Sequence, residues 1–433
     1  MKLQHHTWHI TGGRPLRGEV RIHSAKNSAL YLILAALLTP EPVVLKDIPK
    51  LSDIVVMLDM LRYFGAEVYW QGHDVHINAQ HIHTCHAPYH LVSKMRASFV
   101  ALGALLARCG HARVSMPGGC AFGPRPVDRH IKAFRQLGVD LLEEAGDFTA
   151  TRIKPLQGRV VFEAPTVGGT QNIILASALG SETVIIDNAA LEPEVLDLAQ
   201  MLSSMGADIQ GAGTSCIRIQ GVAALRGCTY RPLPDRIEAG TFMLAAAATR
   251  GHITLHRVCP VHLQAVSDKL RESGVKVLEL DNSIVVDARA PLQPVNVTAL
   301  EYPGIPTDLQ APFGAFLATV AGTSIVTDEV YPDRFTHVEA LLRSGAVLEM
   351  RDRALVIQGG ALHGADMHAA DIRAGGALVV AALAAEGASS ISGVEYIARG
   401  YEALPERLLR LGARVQRGPV ITDETLATGT FGD

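Results

Sequence analysis

The chain has 433 residues, with 39 Lys and Arg against 43 Asp and Glu, a formal charge of −4. That balance excludes the basic excess of a general nucleic-acid binder, and the length points to two or three domains. Apolar residues make up 48%, charged residues 19% and aromatics 5%. This excludes global disorder and requires a core of small and aliphatic side chains.

Residues 1–13 carry no apolar signal core. Even long apolar runs such as Ala377–Ala385 are far short of the ~18–20 residues that span a bilayer. A cytoplasmic protein without a membrane segment is expected. The six cysteines, at 85, 109, 120, 216, 228 and 259, include no CxxC pair, and in that compartment they are expected to be thiols.

In chain order, two phrases alternate. An all-round apolar stretch followed by a β-rich run starts near Ser28 (SALYLILAALLTPEPVVL) and recurs from Ala97, Asn172, Gly240, Ala311 and Ala377. Helices apolar on every face are buried helices. Behind each comes an amphipathic stretch ending in Gly and a strand, as in MLDMLRYFGAEVYW up to Trp70. The glycines are Gly65, Gly138, Gly206, Gly274, Gly345 and Gly412. They recur roughly every 70 residues, a period too long for an ordinary solenoid, and each suits a helix C′ position of positive φ. A turn and a second strand follow, for example Val75–Ile77 and Ile284–Val286. Each unit therefore reads as a βαβαββ-type repeat, and the buried helices demand sheets outside them. Six units grouped three and three predict an α/β fold of two domains.

The residues that open the buried helices are chemically marked. They are Lys26–Asn27, Arg96, Gly168–Gly169–Thr170, Arg236 with Glu238, Asp308 and Arg373. Helix N-termini carry free N–H groups and partial positive charge, so with added Lys and Arg they suit anions. Any single cation is more often a solvated cap or a surface ion pair; recurrence at one place in the repeat favours a site. Asp308 reads as an N-cap or, near cations, as a base. Arg334 and Arg399 lie on the loops that lead into amphipathic helices. The longest such loop, PGGCAFGPRPVD at 117–128, holds Cys120 with Arg125 and Arg129 behind it. A thiol near cations is activated, and its glycine-hinged loop favours function over packing. The histidines at 73, 76, 81, 83, 86 and 90 alternate along a strand and loop without HExxH, so no metal is expected. No Walker-type loop and no GxGxxG after a strand appear, which leaves no nucleotide or redox cofactor.

These residues resemble the enolpyruvyl transferase family, from about Trp8 to Val415. The resemblance rests on AKN at 25–27, MRAS at 95–98, PGGCAFGPRPVD at 117–128, LPDRIEAGTF at 233–242, PTD at 306–308, DRF at 333–335 and RGYE at 399–402. It implies a two-domain inside-out α/β barrel, with a domain at 26–230, a second at 1–25 plus 231–425, and a tail at 426–433. The site would lie in the cleft between them, with the Cys120 loop closing over it.

Among the family's branches, these loops resemble the one that joins phosphoenolpyruvate to the 3-hydroxyl of UDP-N-acetylglucosamine. That reaction releases phosphate and begins peptidoglycan precursor synthesis, with no metal, cofactor, nucleic-acid, membrane or obligate protein partner. Matched position by position, the resemblance implies Cys120 as proton donor, Asp308 as base and Lys26 as the phosphoenolpyruvate lysine. Asn27, Arg125, Arg399 and Arg373 would also meet phosphoenolpyruvate. Asn27, Arg96, Arg125, Pro126, Val127, Asp128, Arg129, Thr166, Val167, Gly168, Gly169, Asp308 and Val330 would meet the sugar nucleotide. Two departures stand out. Ser24 replaces a usual glycine before AKN, which reduces backbone freedom, and Ala164 replaces a lysine that some members have. Two other readings remain: a paralogue acting on shikimate 3-phosphate, for which an SKS-like triplet and no loop cysteine are expected, and a non-catalytic sugar-nucleotide-binding protein.

Overall fold

The structure, a computed structural model, describes residues 6–117 and 127–419. The chain divides into two compact units. One comprises His23–Asp235 with Glu301–Pro303; the other comprises Met1–Ile22, Arg236–Leu300 and Gly304–Asp433.

The boundaries expected at 26 and 230 move outward to 23 and 235. The cause is local pairing. Thr229–Tyr230 is a strand parallel to Val43–Leu45, and Ser24 forms an antiparallel bridge with Pro234. Residues 23–25 and 231–235 therefore stay with the unit that contains the Lys26–Ala35 helix. Ser24 is not among the residues of positive φ, so the serine occupies ordinary backbone and the glycine's freedom is not needed there.

The described residues form six four-stranded sheets. In the first, the order is Thr229–Tyr230, Val43–Leu45, Asp74–Asn78, Glu67–Gln71. The leading pair is parallel and the others antiparallel, with Thr229 opposite Val44, Val44 opposite His76 and His76 opposite Tyr69. The same one-parallel, two-antiparallel pattern recurs in the other five. Three sheets are completed by distant chain. Thr229–Tyr230 completes the first, Arg17–Arg21 pairs with His252–His256, and His6–Thr11 lies between Ala388–Ser392 and Arg414–Pro419.

The apolar stretches are helices whose residues are almost all buried: Lys26–Ala35, Ala101–Cys109, Val167–Ser177, Arg236–Ala248, Gln310–Leu317 and Ile372–Ala384. In the second unit named above, the last three pack against one another. Close packing of that kind needs small residues: a Cβ built at Gly240 would stand 2.4 Å from Leu309 Cδ1. The six glycines that follow the amphipathic helices all have positive φ, from 74° at Gly138 to 112° at Gly65, where a side chain would cost about 1–2 kcal/mol.

The thiol expectation fails at one pair. Cys85 and Cys109 form a disulfide, with Cα atoms 6.8 Å apart. The parallel pairing of His86–Ala87 with His111–Ser115 brings together the residue before one strand and the end of the Ala101–Cys109 helix. Sequence spacing cannot reveal that juxtaposition. Cys216, Cys228 and Cys259 are thiols, and Cys120 lies outside the described residues. Among the described residues no helix is long and apolar enough to cross a membrane. None of their His, Cys, Asp or Glu side chains gather in threes as a metal site.

Candidate active site

The unit built on His23–Asp235 carries Lys26, Asn27, Arg96 and the loop residues at 127–129 and 166–169. Lys26 is the first residue of its helix and is buried. A buried ammonium must be paired, and its Nζ stands 3.1 Å from Asp53 Oδ2, itself buried at the start of the Ser52–Phe64 helix. The Ala25 side chain cannot cap the helix. The Lys26 N–H instead donates to Asp235 Oδ2 at 3.2 Å. Asn27, next in line, is half-buried.

Arg96 opens a short 3-10 turn, Arg96–Val100. Its charge bears on His130, which sits on the Asp128–Gln136 helix. Burial, and then Arg96, hold the His130 imidazole at a pKa of about 3. The ring is therefore neutral. It lies 2.9 Å from Asn172 Nδ2, edge-on to Phe99, and directly beside Gly168.

Gly168 and Gly169 lie in the first turn of the Val167–Ser177 helix, where Thr166 Oγ1 accepts from Gly169 N–H at 3.3 Å. One of the expected anion-binding N–H groups is thus committed to its cap. Arg129 is exposed and donates to Pro165 O at 3.3 Å, so it is tied to the same turn. Asp128 is exposed and Val127 buried. His130 brings the 128–130 and 166–169 segments together; Cys120, Arg125 and Pro126 lie outside the described residues.

The other unit carries Asp308, Arg373, Arg399 and Val330. Asp308 sits inside the 3-10 turn Thr307–Leu309, whose N-cap residue is Pro306, so it does not occupy the N-cap position. Its carboxylate is instead held by two guanidinium groups. Arg334 Nη1 stands 2.7 Å from Oδ1, and Arg373 Nη2 stands 3.1 Å from Oδ2. Both arginines are buried, and buried charge is tolerable only when paired in this way.

Each arginine is anchored again. Arg334 Nη1 reaches Thr307 Oγ1 at 3.2 Å, and Thr307 donates to Asp328 Oδ2 at 2.5 Å. Asp328 Oδ1 accepts the N–H groups of Val330 and Tyr331 at 2.9 and 2.8 Å, which fixes Val330 beside this pair. Burial pushes the Asp328 carboxyl up, while the hydrogen bonds pull it down. Arg373 Nη1 lies 3.4 Å from Tyr401 Oη, which shares a hydrogen bond with Thr241 Oγ1 at 2.9 Å. Asp371 caps the Arg373 helix through the N–H groups of Arg373 and Ala374.

Arg399 is half-buried, and Gly400 after it lies against Ile372 and the Arg373 guanidinium. Arg236 and Glu238 are both buried in their helix, with Glu238 paired to Arg407.

A family profile described as EPSP synthase (3-phosphoshikimate 1-carboxyvinyltransferase) matches residues 10–408. UDP-N-acetylglucosamine 1-carboxyvinyltransferase of Thermus thermophilus is 56% identical over 94% of this chain and 96% of its own length. The chain belongs to the carboxyvinyl (enolpyruvyl) transferase family. The Deinococcus deserti member of the same name is 54% identical over 94% of this chain and 97% of its own. Two solved carboxyvinyl-transferase structures share the fold. One is the enolpyruvyl transferase NikO of Streptomyces tendae, with TM-score 0.86 and 24% identity over 96% of this chain and all of that one. The other is EPSP synthase of Acinetobacter baumannii, with TM-score 0.74 and 18% identity over 95% of this chain and all of that one.

Sequence reasoning assigned no role to Asp53, Asp235, Asp328 or His130, and noted Arg334 only by its loop. Arg334 carried a legible signal in its DRF context. The others have none, because the partners that tie them to other elements lie 21 to 209 positions away in the chain.

Proposed function

We propose that this chain transfers the enolpyruvyl group of phosphoenolpyruvate to the 3-hydroxyl of UDP-N-acetylglucosamine, releasing phosphate. The observation that carries the reading is the Asp308 carboxylate held between Arg334 and Arg373, in a chain 53–56% identical to full-length relatives of that name. The fold reading that goes with it is a two-domain inside-out α/β barrel of six repeats. Its biological setting is peptidoglycan precursor synthesis in the cytoplasm.

The chemistry is addition followed by elimination. C3 of phosphoenolpyruvate gains a proton, which we assign to the Cys120 thiol, while the sugar 3-hydroxyl adds to C2. Asp308 takes the hydroxyl proton; the two guanidiniums fix its orientation, and each carboxylate oxygen has a second lone pair with which to accept. The ketal then loses a proton from C3 and expels phosphate. Lys26, Arg125, Arg373 and Arg399 neutralise the phosphate and carboxylate of phosphoenolpyruvate, where removing one preorganised charge costs on the order of 10²-fold in rate. Asn27, Arg96, Val127–Arg129, Thr166–Gly169 and Val330 hold the sugar nucleotide. His130, neutral beside Gly168, supports that loop without adding charge.

Phosphate release from phosphoenolpyruvate tests the reading. Release is expected with UDP-N-acetylglucosamine and absent with shikimate 3-phosphate; release with the latter alone overturns it. A non-catalytic protein would bind the sugar nucleotide and release nothing.

A further inference from the structure

Asp197 lies on the Pro193–Ser204 helix and is 2% exposed. Nothing in the proposed chemistry uses it. Its carboxylate nevertheless gathers three donors from two other parts of the unit. Oδ2 accepts the Ser28 hydroxyl in a short hydrogen bond and the Leu233 N–H at 3.3 Å. Oδ1 accepts the Tyr230 hydroxyl at 2.7 Å.

Ser28 is two residues after Lys26 on the same helix. Tyr230 and Leu233 belong to the segment by which the chain leaves the unit at Asp235. That segment grips the helix start a second time. Leu233 O accepts the Ala25 N–H at 2.8 Å, Asp235 Oδ2 accepts the Lys26 N–H at 3.2 Å, and the Asp235 N–H donates to His23 O at 2.9 Å. Ser24 and Pro234 are bridged between them. The turn holding Lys26 and Asn27 is thus suspended between Ser28 on one side and 230–235 on the other, and both supports converge on one carboxylate.

We infer that Asp197 is the positioning residue of the Lys26–Asn27 turn: its three hydrogen bonds set where the Lys26 ammonium and the Asn27 amide stand. Burial pushes the Asp197 carboxyl up, in keeping with a group whose job is to accept neutral donors in a dry site. An Asn can reproduce the arrangement, its carbonyl accepting from Ser28 and Leu233 and its amide donating to the Tyr230 oxygen. An Ala removes the carboxylate from all three donors and leaves the Tyr230 hydroxyl only the Asp197 backbone carbonyl at 3.3 Å.

The inference rests on the phosphoenolpyruvate role proposed for Lys26, so the experiment separates the two. Asp197→Ala, Asp197→Asn and Ser28→Ala are assayed by phosphate release with each substrate varied in turn. Amide hydrogen exchange is followed over residues 24–30. Asp197→Ala is expected to raise KM for phosphoenolpyruvate and lower kcat, each about tenfold. KM for UDP-N-acetylglucosamine should move less than about threefold, and exchange over 24–30 should accelerate. Asp197→Asn is expected to restore both constants to within about threefold. Ser28→Ala, which removes one support only, should shift the same KM in the same direction by less, and it covers the case in which Asp197→Ala does not fold.

Unchanged exchange over 24–30 in folded Asp197→Ala, or in Ser28→Ala where the former does not fold, overturns the positioning role. An Asp197→Asn protein as impaired as Asp197→Ala also overturns it. Lys26→Ala that binds phosphoenolpyruvate normally, with accelerated exchange in Asp197→Ala, overturns the role given to Lys26 and leaves the positioning role standing.

Discussion

His130 and His337 are buried, one in each unit, and both are held neutral. Burial, with help from Arg96, holds His130 at about 3. Burial, with Arg334 adding to it and Asp371 opposing, holds His337 at about 4. An unfolded histidine titrates near 6.5. Folding therefore excludes a proton between the two values, and the unfolded chain binds more protons there. Stability tied to each ring is complete above about 6.5 and is lost as pH falls from there toward the folded value. At about pH 5 the loss is about 1.5 pH units, or about 2 kcal/mol for each histidine, because both folded values lie well below that pH.

The two tryptophans allow each unit to be read alone. Trp8 belongs to the unit of His337 and Trp70 to the unit of His130. Trp8→Phe and Trp70→Phe backgrounds, each with and without His130→Gln or His337→Gln, are unfolded by denaturant at about pH 7.5 and pH 5. Each histidine replacement is expected to cut the acid-induced loss in its own unit by about 2 kcal/mol and to leave the other unit's loss unchanged. Carboxylates contribute equally to parent and variant and cancel in the difference. An acid-induced loss identical with and without the histidine would refute the reasoning for that ring.

Replacing Arg334 with Met removes one of the two guanidiniums on Asp308; kcat is expected to fall on the order of 10²-fold in steady-state phosphate release, more than with Arg334→Lys. The Cys85–Cys109 disulfide closes a loop of sequence separation 24, so Cys85→Ser with Cys109→Ser should lower stability by about 3 kcal/mol. Denaturant midpoints read from Trp70 check this, and non-reducing peptide mapping should recover the linked peptide from the parent. An epoxide mimic of phosphoenolpyruvate such as fosfomycin should alkylate Cys120, faster with UDP-N-acetylglucosamine present, and leave Cys120→Asp unmodified in a mass spectrum. An unmodified Cys120 in an active enzyme would contradict its assignment.

The two kinds of helix were legible because their patterns are local. Apolar helices and Gly-terminated amphipathic helices leave their pattern in neighbouring residues, and the six glycines from Gly65 to Gly412 all take the positive φ that the pattern requires. The marked residues at the helix starts were legible for the same reason: Lys26, Asp308 and Arg373 stand at one recurring place in the unit. What those residues touch was not legible. Asp308 looked as much like a cap as a base until the structure set it between Arg334 and Arg373. Hydrogen bonds and ion pairs between elements leave no mark in the order of residues, since each partner is an ordinary Asp, Ser or Arg in its own segment. The disulfide shows this most directly. Six cysteines without a motif gave no reason to pair 85 with 109, and only the parallel register of two short strands brought them together. Composition and local periodicity determined the buried apolar helices and the Gly-terminated amphipathic ones; tertiary structure alone decided which buried charge meets which, because burial makes pairing obligatory and the fold chooses the partner.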